Sequence, residues 1–164
     1  MTKQIPDGFH TITPSLIVSD AAKAIEFYKK AFGAQESDRF TAPDGKSVMH
    51  AQLKIGDSML MLGSERPPTC LSPKSRGGTS VNLYLYVRDA DTAFDRAVKA
   101  GCSVKMPMSD QFWGDRFGQV EDPFGHQWAF ATHKQDLTHE EIAQNAKTFF
   151  AKMEKEHAPE MATA

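Results

Sequence analysis

The chain holds 164 residues, enough for one good core or for two small modules that share one. Hydrophobic residues make up 40% and charged residues 24%, a balance that excludes wholesale disorder. Lys and Arg number 19 against 21 Asp and Glu, a formal charge of -2 with no basic block, which argues against a nucleic-acid partner.

The first ten residues, MTKQIPDGFH, carry no apolar signal core, and no later run is apolar for the length of a membrane helix. A first strand is predicted over 11–18 (TITPSLIV), where Pro14 lacks an N–H and points to a sheet edge or a bulge. Residues 21–32 place Ala24, Ile25, Phe27, Tyr28, Ala31 and Phe32 at helical spacing. Asp20 is the predicted cap of that helix and Gly33 its stop. Strands follow over 35–41, 47–55 and 58–63, with turns at Pro43-Asp44-Gly45 and Gly56-Asp57. A connector rich in Pro and Gly runs from 63 to 79.

The pattern then repeats. Residues 80–87 (SVNLYLYV) read as a strand, and Asp89 opens a helix carrying Ala93, Phe94, Ala97, Val98 and Ala100 before Gly101. Strands over 103–108, 112–121 and 127–133 follow, the last after the turn Asp122-Pro123-Phe124-Gly125. Val18, Asp20, Ala21 and Ala24 match Val87, Asp89, Ala90 and Ala93 in step. The tail over 138–155 is an amphipathic helix with a capping box at Thr138 and Glu141 and staple residues Leu137 and Ile142. Its apolar stripe (Ile142, Ala146, Phe149, Phe150, Met153) is expected to dock on its own domain or on a dimer partner. Among its histidines, His139 and His157 read as solvated.

The expected fold is α+β: two βαβββ modules forming a cup-shaped mixed sheet with helices outside, plus a C-terminal helix. One domain spans 1–133, with modules over about 9–63 and 79–133, and a helical tail spans 134–164. A concave pocket in such a cup is where a small organic molecule would bind. Cys70 and Cys102 make neither a disulfide framework nor a CxxC pair, so the expected compartment is the reducing cytoplasm. The edge-prone first strand and the apolar tail point to a homodimer.

Three runs carry a resemblance: Asp20 with Ala24-Ile25-Glu26-Phe27-Tyr28, then Val87-Arg88-Asp89, then Asp122-Pro123-Phe124-Gly125-His126. With them the repeat resembles the vicinal oxygen chelate superfamily, or glyoxalase/bleomycin resistance/dioxygenase fold, over roughly 9–133. Met49-His50-Ala51, Ile55-Gly56-Asp57-Ser58 and residues 110–116 and 122–128 are similar to its PhnB-like branch. Metal-dependent members of that superfamily hold a divalent ion on one position in the first and last strand of each module. The resemblance puts those positions at Thr13, about Met61, Asn82 and Ala129; neither Met nor Ala is a plausible ligand for a hard cation, and a neutral Thr and Asn would be weak ones. The histidines show no His-x-His or HExxH spacing. The expectation is therefore no metal and no cofactor.

With Asn82 facing the cup, strand alternation turns Tyr84 and Tyr86 inward, along with Thr13, His50, Gln52, Gln127 and Ala129. Met59 and Met61 act as adaptable filler, and Met49, Ala51 and Leu53 form the buried face. His50 is the candidate catalytic base, or else a structural histidine. Trp113, Asp115 and Arg116 admit two readings. They form a structural ion pair with a core Trp, or Trp113 stacks on a ligand whose anionic group Arg116 grips. Asp115 and Arg116 face opposite sides unless Gly114 or Gly118 forms a bulge.

The candidate substrate-binding set is thus Thr13, Gln52, Met61, Asn82, Tyr84, Trp113, Asp115, Arg116 and Gln127. The resemblance implies a small-molecule-binding protein independent of metal. As an enzyme it would be a lyase or isomerase moving a proton beside a carbonyl. The alternatives are a drug- or metabolite-sequestering protein of the bleomycin-resistance kind and a metal-dependent lyase or dioxygenase.

Overall fold

The computed structural model describes residues 2–45 and 47–157, the side chains of 154–157 excepted; the side chain of His157 and the tail beyond it lie outside the described residues. The first module runs β1 (Ser15–Val18), α1 (Ala21–Phe32), β2 (Gln35–Thr41), β3 (Val48–Ile55) and β4 (Ser58–Ser64). A short helix α2 (Pro73–Arg76) interrupts the connector. The second module runs β5 (Asn82–Tyr86), α3 (Ala90–Ala100), β6 (Ser103–Asp110), β7 (Asp115–Glu121) and β8 (Gln127–His133), and α4 (His139–His157) follows. Each module forms its own four-stranded mixed sheet, ordered β1-β4-β3-β2 and β5-β8-β7-β6.

The caps act as the repeat predicts. Asp20 accepts from the Lys23 N–H at 3.0 Å and Asp89 from the Thr92 N–H at 2.9 Å. Gly33 ends α1 in the left-handed region at φ 67°. At the head of α4, the Glu141 N–H donates to Thr138 Oγ1 at 3.2 Å while the Glu141 carboxylate accepts from the Thr138 N–H at 2.8 Å.

The two halves join through their helices. α1 packs on α3, and the Arg96 guanidinium of α3 donates to the Ala31 carbonyl at 2.9 Å. The helix-facing side chains of both sheets merge into one core. Phe32 of α1 lies 4.3 Å, ring centroid to centroid, from Trp128 of β8, and Phe94 of α3 lies 6.2 Å from Phe130. One carboxylate is built into this core. Asp122, 2% exposed, accepts from Tyr28 Oη at 2.8 Å and from Trp128 Nε1 at 2.9 Å. Its second oxygen accepts from the Phe124 and His126 N–H groups at 2.8 and 3.0 Å. Burial, with Asp122 nearby, pushes the Cys102 thiol up to about 12, so this cysteine is an inert core group.

Several strand boundaries and faces differ from expectation. β1 begins at Ser15 rather than Thr11: Pro14 uses only its carbonyl, which accepts from the Met61 N–H at 2.9 Å. β7 begins at Asp115, because Gln111–Gly114 form a turn closed by the Gly114 N–H on the Gln111 carbonyl at 3.0 Å. Met49 is 37% exposed rather than buried. Phe40 pairs with His50 but Thr41 with Val48, so Met49 is the extra residue of a bulge. Its carbonyl presses on Gly63, where a Cβ would stand 2.5 Å away. In the second sheet the irregular register falls on β6, around Met106, whereas Gly118 pairs regularly with Phe130.

Candidate functional site

One face of the second sheet carries an aromatic platform. Tyr84 and Tyr86 on β5, Phe117 on β7 and Ala129 and Ala131 on β8 all point away from the helices. Alanine at the two central positions lets rings lie flat over β8. Tyr84 stacks on Phe117 at 5.5 Å and lies 5.1 Å from Tyr86; Trp113, in the turn before β7, meets Phe117 edge-on at 5.8 Å. Tyr84 is 41% and Tyr86 65% exposed, so the platform faces solvent. Partial burial, with Tyr86 and Asp115 beside it, holds the Tyr84 phenol up at about 12, so it acts as a neutral hydrogen-bonding group.

A buried carboxylate fixes the platform's rim. Asp115, 3% exposed, accepts at Oδ2 from Tyr86 Oη (2.9 Å) and from Trp113 Nε1 (3.1 Å). Its Oδ1 lies 2.8 Å from His133 Nδ1, and His133 Nε2 lies 3.0 Å from Asp136 Oδ1. The imidazole therefore sits between two carboxylates, first Asp136 and then Asp115, which raise its pKa above the ordinary histidine range. The linkage sign follows from a raised folded-state pKa. The stabilisation is fully present below about pH 6.5 and is lost as pH rises through the folded value. A proton NMR titration is expected to give a His133 midpoint above 6.5 that falls toward it in Asp136→Asn; equal midpoints in the two proteins would refute the pairing.

α4, largely exposed, rests against the turn before β7. Phe149 and Phe150 pack on Phe112 at 5.6 and 5.7 Å, and Asn145 donates to the Phe112 carbonyl at 3.4 Å. The chain leaving β8 is tied to the same turn by the Lys134 and Gln135 N–H groups, both on the Gly114 carbonyl.

The sequence-predicted residues fall into separate groups. Tyr84, Trp113 and Asp115 come together in the platform. Thr13, Asn82 and Tyr84 line a cavity of 240 Å³ at the edge of β5, also bordered by His10 and Met59. His50, Gln52 and Met61 share the open face of the first sheet: Gln52 pairs with Met61 across the ladder, and its amide nitrogen lies 3.4 Å from His50 Nε2. No hydrogen bond or ring contact links His50, Gln52 or Met61 to Tyr84, Trp113 or Asp115. Gln127 accepts from Gln119 at 3.1 Å and pairs with Asn82.

Arg116 turns to the other face from Asp115 and forks onto Asp91 of α3 at 2.7 and 3.0 Å, with Asp110 3.5 Å away. A larger cavity of 540 Å³ lies beside that pair, lined by Asp91, Asp110, Gln111, Asp115, Arg116 and Lys134 among others. Its guanidinium is already committed to carboxylates, so it offers a ligand less than the platform does.

Tyr86, Phe117 and His133 complete the platform: strand alternation turns Tyr86 into the cup but the predicted binding set omits it, and Phe117 and His133 stand in neither. Parity carries the signal: His133 shares its strand face with Gln127 and Ala129, and Phe117 shares one with Asp115.

The positions that the resemblance assigns to a metal do not fit one. Ala129 has no donor atom, Met61 offers a thioether, and Thr13 and Asn82 offer neutral oxygens, with Thr13 Oγ1 donating to the His10 carbonyl at 3.1 Å. Among the described residues, no three His, Cys, Asp or Glu side chains are grouped to hold a metal ion, and no helix is long and apolar enough to cross a membrane.

Comparison with known proteins agrees with this architecture. Residues 8–130 match the sequence profile of the Glyoxalase/Bleomycin resistance protein/Dioxygenase superfamily. An uncharacterised protein of Mycobacterium bovis is 44% identical over 135 residues, covering 80% of this chain and 88% of that protein. The crystal structure of TioX from Micromonospora sp. ML1 superposes with a TM-score of 0.62 at 30% identity, covering 76% of this chain and 98% of TioX. A putative 3-demethylubiquinone-9 3-methyltransferase, PhnB protein, from Bacillus cereus superposes with a TM-score of 0.57 at 18% identity, over 75% of this chain and 99% of its own, a likeness of fold alone. The chain belongs to the glyoxalase/bleomycin resistance protein/dioxygenase superfamily.

Proposed function

We propose that the protein binds a small, flat organic molecule on the aromatic platform without a metal ion, and that it does so as a cytoplasmic homodimer. The observation that carries this reading is the aromatic platform itself: Tyr84 and Tyr86 face solvent, the half-buried Trp113 and the buried Phe117 back them, and the buried Asp115 orders the rim. Rings held in place before binding lose little entropy when a ligand stacks on them. The donor-poor set Thr13, Met61, Asn82 and Ala129 supports independence from metal.

The dimer reading is supported by what one chain leaves uncovered. Among the described residues no hydrogen bond or ring contact joins the His50–Gln52–Met61 face to the platform, and Phe40 (60% exposed), Met49, Val104 and Met106 are exposed. A second copy that sets its first sheet over this platform would put His50 and Gln52 opposite Tyr84 and Trp113, and Thr13, Asn82 and Gln127 at the rim. Sedimentation showing a monomer at micromolar concentration would remove this part of the reading.

Sequestration suits the site better than proton transfer. Within one chain His50 has Gln52 beside it and no carboxylate to orient it as a base. The test is a thermal-shift screen of a metabolite and drug library, run in EDTA and again in Mn²⁺, Ni²⁺ or Zn²⁺. Hits that raise the melting temperature equally in both support the reading, and hits confined to the metal arm overturn it. Turnover of a hit by the wild type, abolished in His50→Ala, would replace sequestration with catalysis.

A further inference from the structure

Resting on the platform reading, we propose that His133 is an anion-recognition site at the platform's rim, so that the ligand class is flat aromatic anions such as aryl carboxylates, and that Asp136 occupies the anion's place in the free protein.

The geometry sets the state of His133. Both ring nitrogens face carboxylate oxygens, Asp115 at 2.8 Å and Asp136 at 3.0 Å. A neutral imidazole has one nitrogen without a proton, and its lone pair would point at a negative oxygen. Only the imidazolium donates to both. The two carboxylates differ in kind. Asp115 is 3% exposed and holds three partners, so it is a fixed part of the sheet. Asp136 lies on the segment after β8, and its side chain is fully exposed. A surface ion pair of this kind adds little stability and gives way to a competing anion at little cost.

Placement then joins this site to the rings. Asp115 and His133 are directly opposed on β7 and β8, and Tyr86 is opposed to Ala131, so the three side chains share one sheet face. Tyr86 Oη and His133 Nδ1 bind the two oxygens of one carboxylate, which puts the phenol ring and the imidazole side by side. The His133 side chain is 52% exposed, so Nε2 is within reach from solvent once Asp136 swings away. A ligand whose rings lie on Tyr84 and Tyr86 can set a carboxylate on His133 Nε2. Its charge is recognised there by a cation that Asp115 has already oriented. Arg116 plays no part in this, because it is engaged with Asp91 on the opposite face.

The probes are 2-naphthoate and its neutral analogue 2-naphthamide, titrated at pH 6 by calorimetry against the full chain in EDTA. Wild type is expected to bind naphthoate about tenfold or more tightly than naphthamide, the scale of one charge-assisted hydrogen bond. His133→Gln keeps a similar volume on an exposed site, and it is expected to abolish that preference, bringing the two affinities within about twofold of each other. Asp136→Asn replaces the competing anion by a neutral, weaker acceptor and is expected to tighten naphthoate binding several-fold. Equal affinities for the two probes, a preference that survives His133→Gln, or no gain in Asp136→Asn would each overturn the proposal while leaving the platform reading intact. Failure of both probes to bind wild type would overturn the platform reading and this proposal with it.

Discussion

Replacing Asp122 by Ala is expected to remove about 4 kcal/mol of folding stability, measured by urea unfolding. The carboxylate takes four hydrogen bonds inside the core, from Tyr28, Trp128, Phe124 and His126. Truncation leaves two side-chain donors and two backbone N–H groups in a place that water does not reach, and each unsatisfied group costs about 1–3 kcal/mol, with the lower end fitting groups that can relax together. The residue also acts across the repeat. Tyr28 belongs to α1 of the first module, whereas the Asp122–His126 turn and Trp128 belong to the second. The loss should appear as a lower midpoint of a single cooperative transition. A loss below 1 kcal/mol would mean that the aromatic contacts around Trp128, and not this carboxylate, hold the halves together.

Asp115→Ala is expected to act mainly on binding. Its partners Tyr86 and His133 are exposed enough to turn to water, so the stability loss should stay near 1–2 kcal/mol. Tyr86, Trp113 and His133 would lose their common anchor, and a platform that must be ordered during binding is a weaker one. Affinity for a platform ligand should fall about tenfold or more, with a matching loss of near-ultraviolet circular dichroism from the rings. An unchanged affinity would show that packing among Tyr84, Phe117 and Trp113 orders the platform by itself.

The architecture was legible because its signals are local. Asp20 and Gly33 bracket α1, Asp89 and Gly101 bracket α3, and Thr138 with Glu141 opens α4; each acts within a few residues of its own position. Parity along a strand is equally local. It separated Asp115 from Arg116 and turned Tyr84, Tyr86 and Ala129 to the face away from the helices. The bulge at Met49 was not legible, since it exists only in the register between β3 and β2. The Asp115 network was hidden for a similar reason. Its members come from β5, the turn at Trp113, β7, β8 and the segment beyond β8, and no spacing in the sequence announces that one carboxylate collects them. His133 could have been found by extending the parity of Gln127 and Ala129 to the end of the strand.

Metal-free binding on the platform is tested most directly by titration calorimetry of a library hit in EDTA, comparing wild type with Trp113→Ala. Trp113 touches both Phe117 and the Asp115 carboxylate, so its loss removes a ring and an anchor together. The expected result is chelator-insensitive binding by wild type, weakened by about 1–3 kcal/mol in the variant. Binding that vanishes in EDTA, returns with Mn²⁺, Ni²⁺ or Zn²⁺ and ignores the Trp113 substitution would contradict it.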